Sequence, residues 1–268
     1  MHRIGFIGAG KMAEALISAM IASGEITPAQ IVCSDAQPQR RLEVARRHGI
    51  MAVDTNREVI ATAGIVVLSC KPQDFAEAAA GLGQAVRPDQ VIVSIMAGVR
   101  IAPIARLLPG RVIRVMPNTP CLIGAMAAGM AAAPDVTREQ LAEVRALLSA
   151  AGIVEQVSEE QLDGVTGLSG SGPAFVAWLM AQFQVAGEQL GLDQDVARRL
   201  TLQTFIGTAR LLAEQHLTPE ELIAMVSSPG GTTLAGREVL ENSEAGSILR
   251  RAICRAAQRS TELGNQYE

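Results

Sequence analysis

The sequence predicts a doubly wound parallel α/β sheet in the first half of the chain and an all-helical second half. Up to about residue 115, short β-branched and apolar runs alternate with segments of helical spacing, which is the pattern of a parallel sheet with crossover helices. The apolar run at residues 65–68 is nearly continuous, as is typical of a strand covered on both faces. From about Gln161 onward the spacing indicates helices, with no convincing strand.

The individual elements of the first half follow from this alternation. We predict strands at residues 4–7, 31–33, 65–69, 91–95 and 112–115. The intervening segments with helical spacing are residues 12–22, 38–48, 75–85 and 101–108. Strands that alternate with helices in this way form βαβ units.

Helix-start signals mark the second half, after a stretch of small residues at 124–133. Thr137 with Gln140 and Thr218 with Glu221 have capping-box spacing, and Pro173 opens a further helix. Residues 164–187 carry no charge, and their apolar part is too short to span a bilayer, so we expect a glycine loop followed by a buried helix. We predict domains at residues 1–160 and 161–268.

Composition excludes several classes of partner. Of the 268 residues, 49% are hydrophobic, the net charge is −4, and the aromatic residues are five Phe, one Trp and one Tyr. Neither a basic field nor base-stacking aromatic surfaces are indicated, so we expect no nucleic-acid and no membrane partner. The four cysteines are widely separated, which predicts no metal site. The start does not resemble a signal peptide, and we expect a cytoplasmic protein.

A glycine motif follows the first predicted strand and opens the first predicted helix. Its residues are Gly8-Ala9-Gly10-Lys11-Met12-Ala13, which match G-x-G-x-x-A in the required context. The first glycine makes the tight turn and the second lets the backbone approach a pyrophosphate, which the helix N-terminus then binds. The motif predicts a dinucleotide site, and its alternative is a glycine turn that only packs the helix.

The choice between NADPH and NADH is left open by the end of the second predicted strand. Asp35 lies where an acid would bind the ribose 2′-hydroxyl of NAD. Ser34, however, could bind a 2′-phosphate, with charge added by Arg40 and Arg41. An Asp35 side chain turned toward the start of the helix at Pro38 would not repel that phosphate, and we therefore expect NADPH as cofactor, with NADH used as well.

Several further motifs occur in a characteristic order, and together they resemble the pyrroline-5-carboxylate reductase family over essentially the whole chain. The motifs are Leu68-Ser69-Cys70-Lys71-Pro72, Ser94-Ile95-Met96-Ala97-Gly98-Val99, Val115-Met116-Pro117-Asn118-Thr119-Pro120, Gly167-Leu168-Ser169-Gly170-Ser171-Gly172-Pro173-Ala174-Phe175 and Ser227-Ser228-Pro229-Gly230-Gly231-Thr232-Thr233. The last two are specific to that family.

The resemblance implies a Rossmann-like domain followed by an all-α dimerisation domain. It also implies reduction of 1-pyrroline-5-carboxylate to proline by NAD(P)H, and a homo-oligomer that is at least a dimer. The cofactor residues that it implies are Ile7, Gly8, Ala9, Gly10, Lys11, Met12, Ser34, Asn56, Ser69, Cys70, Lys71, Pro72, Met96, Ala97 and Gly98. The substrate loop that it implies is Gly230, Gly231, Thr232 and Thr233.

The sequence departs from this family at three positions. Val usually stands where this chain has Cys70, Ala commonly stands where it has Met96, and an aliphatic residue is expected where it has Arg237. These departures concern the shape of the nicotinamide pocket and either a helix face or a subunit contact. None of them removes a reacting group.

The residues themselves agree with this chemistry. In the segment from Ser228 to Thr233, consecutive glycines allow amide groups to converge on a carboxylate, ahead of a predicted helix over residues 232–241. We assign Thr233 to the ring nitrogen, as the catalytic contact, although such a threonine could instead cap the helix. None of His2, His48 and His216 has a catalytic neighbourhood in the sequence, so we expect them at the surface and catalysis by orientation.

Two other functions fit parts of the sequence. A β-hydroxyacid dehydrogenase has a similar layout but uses a catalytic lysine in its helical domain, and this chain has only Lys11 and Lys71. A sensor that binds NAD(P) without turnover would not need a carboxylate-binding loop. Both lysines instead fall in the motifs assigned to the cofactor.

Overall fold

The computed structural model describes residues 2–267, which form two compact units. Unit 1 contains the described residues up to Ser171 and those from Cys254 onward, and unit 2 is Gly172–Ile253. Unit 1 therefore extends beyond residue 160, and it also includes the segment from Cys254 onward. The domain boundary at 160/161 stays a prediction.

Unit 1 is built on one eight-stranded sheet with the strand order β3-β2-β1-β4-β5-β6-β7-β8. Pairing is parallel except between β6 and β7. The strands are β1 His2–Ile7, β2 Ile31–Ser34, β3 Met51–Ala52, β4 Ala63–Leu68, β5 Val91–Ser94, β6 Arg111–Met116, β7 Met126–Ala132 and β8 Gly152–Gln156. The order reverses between β1 and β4, which places a crevice at their carboxyl ends.

All five strands predicted from the sequence are present, and three more join the sheet. The strand β3 has only two residues, while β7 consists of Met, Ala and Gly, residue types with little preference for strands. Small residues are required in β7 because a side chain at Gly129 would lie 2.8 Å from Val165. Tertiary packing therefore decides these additional strands.

The helices of unit 1 cover both faces of the sheet. They are α1 Lys11–Ala22, α2 Pro38–His48, α3 Asn56–Thr62, α4 Phe75–Ala79, α5 Ile101–Leu107, α6 Arg138–Ser149 and α7 Leu162–Val165. Helix α4 is shorter than the predicted 75–85, since Ala80 leaves the helical region and Gly81 has φ +70°. The predicted capping box of Thr137 and Gln140 is formed at α6.

Alternate residues of the central strands enter two separate cores. Phe6 and Val67 belong to the core under α1, whereas Ile7 and Val66 belong to the core on the other side, with Ile104 of α5. This two-sided burial explains the continuous apolar runs in the sequence.

A buried charge cluster attaches the C-terminal residues to unit 1. Arg114 of β6 is 4% exposed and lies 3.6 Å from Glu159 and 3.9 Å from Asp163. Burial lowers the pKa of Arg114, while the two carboxylates act in the opposite direction. Asp163 also accepts hydrogen bonds from Ser260 at 2.6 Å and Thr261 at 2.8 Å. A buried cation therefore organises the carboxylate that holds the last turns of the chain.

Unit 2 is helical, as predicted. Its helices are α8 Gly172–Gln189, α9 Gln194–Gln215, α10 Pro219–Val226 and α11 Thr232–Glu241, and α12 Ala245–Gly264 continues into unit 1. The capping box of Thr218 and Glu221 is formed. Among the described helices, none is long and apolar enough to cross a membrane.

Two expectations for residues 164–187 were wrong. The expected glycine loop is helical, because Thr166–Gly170 forms a π-helical segment that closes with Ser171 N–H donating to Thr166 C=O at 2.8 Å. Helix α8 is not buried within this chain, and Trp178 is 61% exposed. The sequence identifies an apolar helix, but it does not say which surface covers it.

Candidate functional site

Gly8 makes the turn between β1 and α1 in a backbone conformation with φ +98°. Its N–H donates to the Ser34 carbonyl at 2.9 Å, and its carbonyl accepts from the Ser69 hydroxyl at 2.7 Å. A Cβ atom at Gly8 would lie 2.9 Å from the backbone of Ser69 and Cys70. Both the backbone angle and the space require glycine here.

Gly10 is the N-cap of α1, and the space beside it is open. Its backbone is extended, it supplies no side-chain cap, and no atom lies within 4 Å of a Cβ built there. The first amide groups of α1 precede the helical hydrogen-bond ladder, which begins with Glu14 N–H donating to Gly10 C=O. Open space beside uncapped amides is a suitable place for an anion such as a pyrophosphate.

A cleft of about 1080 Å³ lies at the carboxyl ends of β1, β2 and β4. Several residues predicted to bind the cofactor line it, namely Ile7, Gly8, Gly10, Lys11, Asn56, Ser69, Cys70 and Lys71. The structure thus brings together three motifs that are far apart in the sequence. This is the position at which doubly wound sheets bind nucleotides.

The backbone of Ala9 is held by two charged side chains, one at its N–H and one at its carbonyl. Asp35 Oδ2 accepts the Ala9 N–H at 2.7 Å, and Arg40 Nε donates to the Ala9 carbonyl at 2.7 Å. The second oxygen of Asp35 accepts the Gln37 N–H at 2.8 Å. Asp35 is therefore turned toward the glycine turn and the start of α2, which agrees with the alternative in which it does not oppose a 2′-phosphate.

Glu14 anchors Arg40 from the first turn of α1. The Arg40–Glu14 ion pair measures 2.5 Å, and Glu14 also contacts Arg47 and His48. Burial raises the pKa of Glu14, but hydrogen bonds from Arg40 and His48 outweigh it, so this pKa lies below its ordinary value. His48 is therefore part of a salt-bridge network, whereas His216 is exposed as expected.

Ser34 is buried beneath the cleft. Its hydroxyl donates to Asn56 Oδ1 at 2.7 Å, while Asn56 Nδ2 donates to the Ala78 carbonyl at 3.0 Å. Nearby, Arg41 pairs with Asp54 and donates to the Asp35 carbonyl. Arg40 and Arg41, which the sequence offers as partners of a 2′-phosphate, therefore both have acidic partners within the protein.

The ends of β4 and β5 meet through two sulfur atoms. The Cys70 thiol lies 3.6 Å from the sulfur of Met96, which is 2% exposed. Burial raises the pKa of the Cys70 thiol to about 11, so this cysteine is a neutral, apolar neighbour at physiological pH. Gly98 has φ +79°, and a Cβ atom there would lie 3.1 Å from the Gly264 amide, so the C-terminal helix packs directly on this loop.

The remaining predicted cofactor residues do not line the cleft. Ala9 and Ser34 are buried beneath it, Met12 packs on the core under α1, Pro72 lines a separate groove with Tyr267, and Met96, Ala97 and Gly98 follow β5. The cleft also contains polar residues that were not assigned to the cofactor from the sequence. These are Glu14, Gln37, Arg47, Asp54, Thr55, Asp74 and Glu77. Glu14 could have been identified from the sequence, because it is an acid in the first turn of α1 and the next helix, α2, is rich in arginine.

In unit 2, the segment Ser228-Pro229-Gly230-Gly231 forms a tight turn. Gly231 N–H donates to the Ser228 carbonyl at 3.0 Å, and Gly230 has φ +70°. Proline followed by a glycine with positive φ is the pattern of a type II turn. A side chain at Gly231 would lie 2.5 Å from the Ser228 hydroxyl, which explains the second glycine.

Helix α11 begins directly after this turn, at the residues that the sequence predicted. Gly231 is its N-cap, and the first helical bond runs from Ala235 N–H to the Gly231 carbonyl. In the described structure this helix has no side-chain cap, so Thr233 is not occupied as a cap. Thr233 is exposed. Arg237 pairs with Glu241 of the same helix at 2.6 Å, so this departure is a charged pair on a helix face.

The glycine turn and the cleft define a dinucleotide-binding oxidoreductase fold, and comparison with known proteins specifies the family. Residues 159–263 match the model described as pyrroline-5-carboxylate reductase dimerisation, and residues 3–98 match NADP oxidoreductase coenzyme F420-dependent. The pyrroline-5-carboxylate reductase of Pseudomonas aeruginosa is 42% identical over 267 residues, which cover 98% of this chain and 97% of that protein. The chain belongs to the pyrroline-5-carboxylate reductase family.

Solved structures show the same fold. A pyrroline-5-carboxylate reductase from Coxiella burnetii superposes with a TM-score of 0.93 at 33% identity, covering 98% of both chains. Plasmodium falciparum pyrroline carboxylate reductase, solved with NADP bound, has a TM-score of 0.87 at 23% identity, also covering 98% of both chains.

Replacement by alanine should affect stability at Gly8 and cofactor binding at Gly10. Gly8→Ala should lower the free energy of unfolding by about 2 kcal/mol or more, because of the positive φ and the backbone contact. Gly10→Ala should leave it within about 0.5 kcal/mol, but should weaken NAD(P)H binding about tenfold or more by filling the open space. Urea unfolding and cofactor titration measure these effects. Unchanged cofactor affinity in Gly10→Ala would contradict the placement of the pyrophosphate.

Proposed function

We propose that this protein reduces 1-pyrroline-5-carboxylate to proline, with NADPH as the preferred cofactor and NADH accepted as well. The observation that carries the proposal is a cleft with a dinucleotide-type glycine turn, in a chain that matches reductases of that name from end to end. The presence of the complete Ser-Pro-Gly-Gly-Thr-Thr segment supports the same substrate.

The cleft suits the phosphates of a nicotinamide dinucleotide. Gly10 leaves space beside the uncapped start of α1, and the ammonium group of Lys11 lies in the same lining. We propose that the cofactor is bound by Ile7, Gly8, Ala9, Gly10, Lys11, Met12, Ser34, Asn56, Ser69, Cys70, Lys71, Pro72, Met96, Ala97 and Gly98. The cofactor supplies a hydride when bound, while these residues orient it and exclude water.

The proposed preference for NADPH is allowed by the direction of the Asp35 carboxylate. Both of its oxygens accept backbone N–H groups, from Ala9 and Gln37, so the carboxylate is turned toward the protein backbone and does not oppose a 2′-phosphate. The Plasmodium falciparum relative, solved with NADP, supports the same preference.

The substrate carries a carboxylate next to a ring C=N bond. We propose that Ser228, Gly230, Gly231, Thr232 and Thr233 bind it. The amides of Thr232 and Thr233 precede the first helical hydrogen bond of α11, so they can receive the carboxylate at a positive helix end. The Thr233 hydroxyl can contact the ring nitrogen as hydride adds to the imine carbon.

This reaction needs no dedicated acid. A protonated C=N bond is already electrophilic at carbon, and the electron pair of the double bond passes to the nitrogen as hydride adds. The principal contributions of the protein are orientation and electrostatic complementarity. His48, which is engaged with Glu14, has no part in this scheme.

We also propose that two or more copies of the chain associate through the helical unit. Among the described residues, α8, α10 and α11 contain no buried side chain, and α9 contains only Ala197. Leu200 is 56% exposed, and its neighbour Phe205 packs edge-on against Phe183 at 5.1 Å. Helices with so much exposed apolar surface need a further surface to cover them, and the match to a dimerisation model favours a second copy of the chain.

The proposed surroundings of the protein are simple. The four cysteines are free thiols, which suits the reducing cytoplasm. We propose a small-molecule substrate and no nucleic-acid or membrane partner, as the acidic balance of the sequence indicates.

A steady-state assay with 1-pyrroline-5-carboxylate, run separately with NADPH and NADH, tests the reaction. Both cofactors should support turnover, because the Asp35 carboxylate is engaged by the backbone and does not oppose a 2′-phosphate, and the higher kcat/KM should be obtained with NADPH. Binding of NAD(P)H without any substrate-dependent oxidation would favour a sensor instead. Turnover of 3-hydroxy acids would favour the dehydrogenase alternative.

Thr233→Ala should lower kcat/KM by about ten- to a hundredfold, since a hydrogen bond to the reacting ring is lost. The free energy of unfolding should change by less than about 0.5 kcal/mol, because this side chain is exposed. Thr233→Ser retains the hydroxyl and should recover most of the activity. Wild-type kcat and KM in Thr233→Ala would exclude the assigned contact.

Light scattering at micromolar concentration should give the mass of at least two chains, because the apolar faces of unit 2 are uncovered in one chain. Introducing a charge by Leu200→Glu should shift this mass downward, whereas Leu42→Glu, at an exposed position of α2 in unit 1, should not. A monomeric mass for the wild type at this concentration would contradict the proposal.

A further inference from the structure

Ala9 has both its backbone N–H and its backbone carbonyl bound by charged side chains from one distant segment. Its N–H donates to Asp35 and its carbonyl accepts from Arg40, both at 2.7 Å. We name this arrangement of Ala9, Asp35 and Arg40 the Ala9 clamp. Charge-assisted hydrogen bonds are about twice as strong as neutral ones, so the clamp restrains the two successive peptide groups that flank the Ala9 Cα atom.

The two charged members of the clamp are themselves fixed by other protein groups. The second carboxylate oxygen of Asp35 accepts from Gln37 N–H at 2.8 Å. The terminal nitrogens of Arg40 pair with Glu14 at 2.5 Å and Glu43 at 3.3 Å. The hydrogen bond to Glu14 raises the pKa of Arg40 above its ordinary value, so the guanidinium stays charged. The clamp is therefore held in place entirely by groups of the protein.

The clamp acts on the part of the turn that most needs restraint. Ala9 lies between Gly8 and Gly10, and glycine has more backbone freedom than any other residue. Without restraint, binding a pyrophosphate would require this turn to be ordered at the same time, at a cost in affinity. Two consecutive peptide groups held in this way leave the start of α1 in its anion-binding arrangement.

These contacts also change what Asp35 can do. An acid at the end of the second strand can select NADH by accepting hydrogen bonds from the ribose and repelling a 2′-phosphate. Here both oxygens of Asp35 already accept backbone N–H groups, from Ala9 and Gln37. The hydrogen bonds of this carboxylate are therefore made to the protein backbone.

We propose that Asp35 and Arg40 are positioning residues of the phosphate-binding turn, and that Asp35 does not select between NADPH and NADH. The clamp holds the turn in the conformation that receives the pyrophosphate, which both cofactors share. This inference rests on the proposed use of NAD(P)H.

The test is direct titration of NADPH and NADH in the absence of substrate, with the full-length protein. Asp35→Asn keeps the shape of the side chain but replaces one accepting oxygen with an NH2 group, so one backbone bond is lost. Arg40→Gln removes the bond to the Ala9 carbonyl. Arg46→Gln is the matched control, because Arg46 is exposed on the same helix and does not line the cleft.

In Asp35→Asn and in Arg40→Gln, the dissociation constants of both cofactors should rise about tenfold. The ratio of the NADPH constant to the NADH constant should stay within about twofold of the wild-type ratio. The double variant should lose less than the product of the two single losses, because both side chains restrain the backbone of the same residue, Ala9. Arg46→Gln should bind both cofactors as the wild type does.

Two further readouts separate positioning from general damage. ADP-ribose, which contains the pyrophosphate, should lose affinity as the cofactors do, whereas 5′-AMP should lose less. With saturating cofactor, kcat should stay within about twofold while KM for the cofactor rises. A globally disturbed protein would lose kcat together with affinity for every ligand, and that outcome would overturn the proposal.

Other outcomes also overturn the proposal. A relative gain of fivefold or more for NADPH in Asp35→Asn would make Asp35 a selector of the cofactor, and unchanged affinity in Asp35→Asn and Arg40→Gln would remove the clamp from cofactor binding. If Asp35→Asn does not fold, Arg40→Gln and the fragment titrations decide the same question. A wild-type protein that binds cofactor without reducing the substrate would contradict only the proposed function, whereas one that binds neither cofactor would contradict both proposals.

Discussion

The arrangement of the cleft depends on one tight backbone contact, between Gly8 and the ends of two neighbouring strands. Gly8 donates to Ser34 at the end of β2 and accepts from Ser69 after β4, so a single residue joins both sides of the crevice. A Cβ atom there would meet the Ser69 backbone at 2.9 Å. Since α1 starts immediately after this turn, the Gly8 contacts fix the point at which the first amide groups of α1 reach the cleft.

Some charged side chains at the cleft bind other groups of the protein, whereas others are available to a ligand. Arg40 joins Ala9 to Glu14, and Arg41 pairs with Asp54, so these cations are engaged within the protein. Lys11 lines the same cleft from the first position of α1. The sequence has only two lysines, Lys11 and Lys71. Both line this cleft, where a flexible ammonium group can reach a ligand.

The two units differ in how they achieve burial. The sheet of unit 1 has a core on each face, each closed by its own helices. The helices of unit 2 expose most of their large apolar side chains, including Trp178 and Leu190. Helices with so much exposed apolar surface need a further surface to cover them. Catalysis and assembly are therefore coupled in the proposed function, because the segment that carries Thr233 belongs to the same unit.

The sequence by itself determined the local features that depend on residue type and spacing. It predicted the five central strands, helix α2 with its observed limits, helix α11, two capping boxes and the glycine turn, because periodicity, proline and glycine act within a few residues of the chain. It did not determine β3, β7 or β8, the π-helical turn at Thr166, or the exposure of α8, since weak local preferences are overridden by packing between distant segments. The direction of the Asp35 carboxylate was likewise open in the sequence. Only the tertiary structure decided it, because one carboxylate oxygen binds the nearby Gln37 N–H, while the other binds the N–H of Ala9, which folding brings to Asp35 from a distant turn.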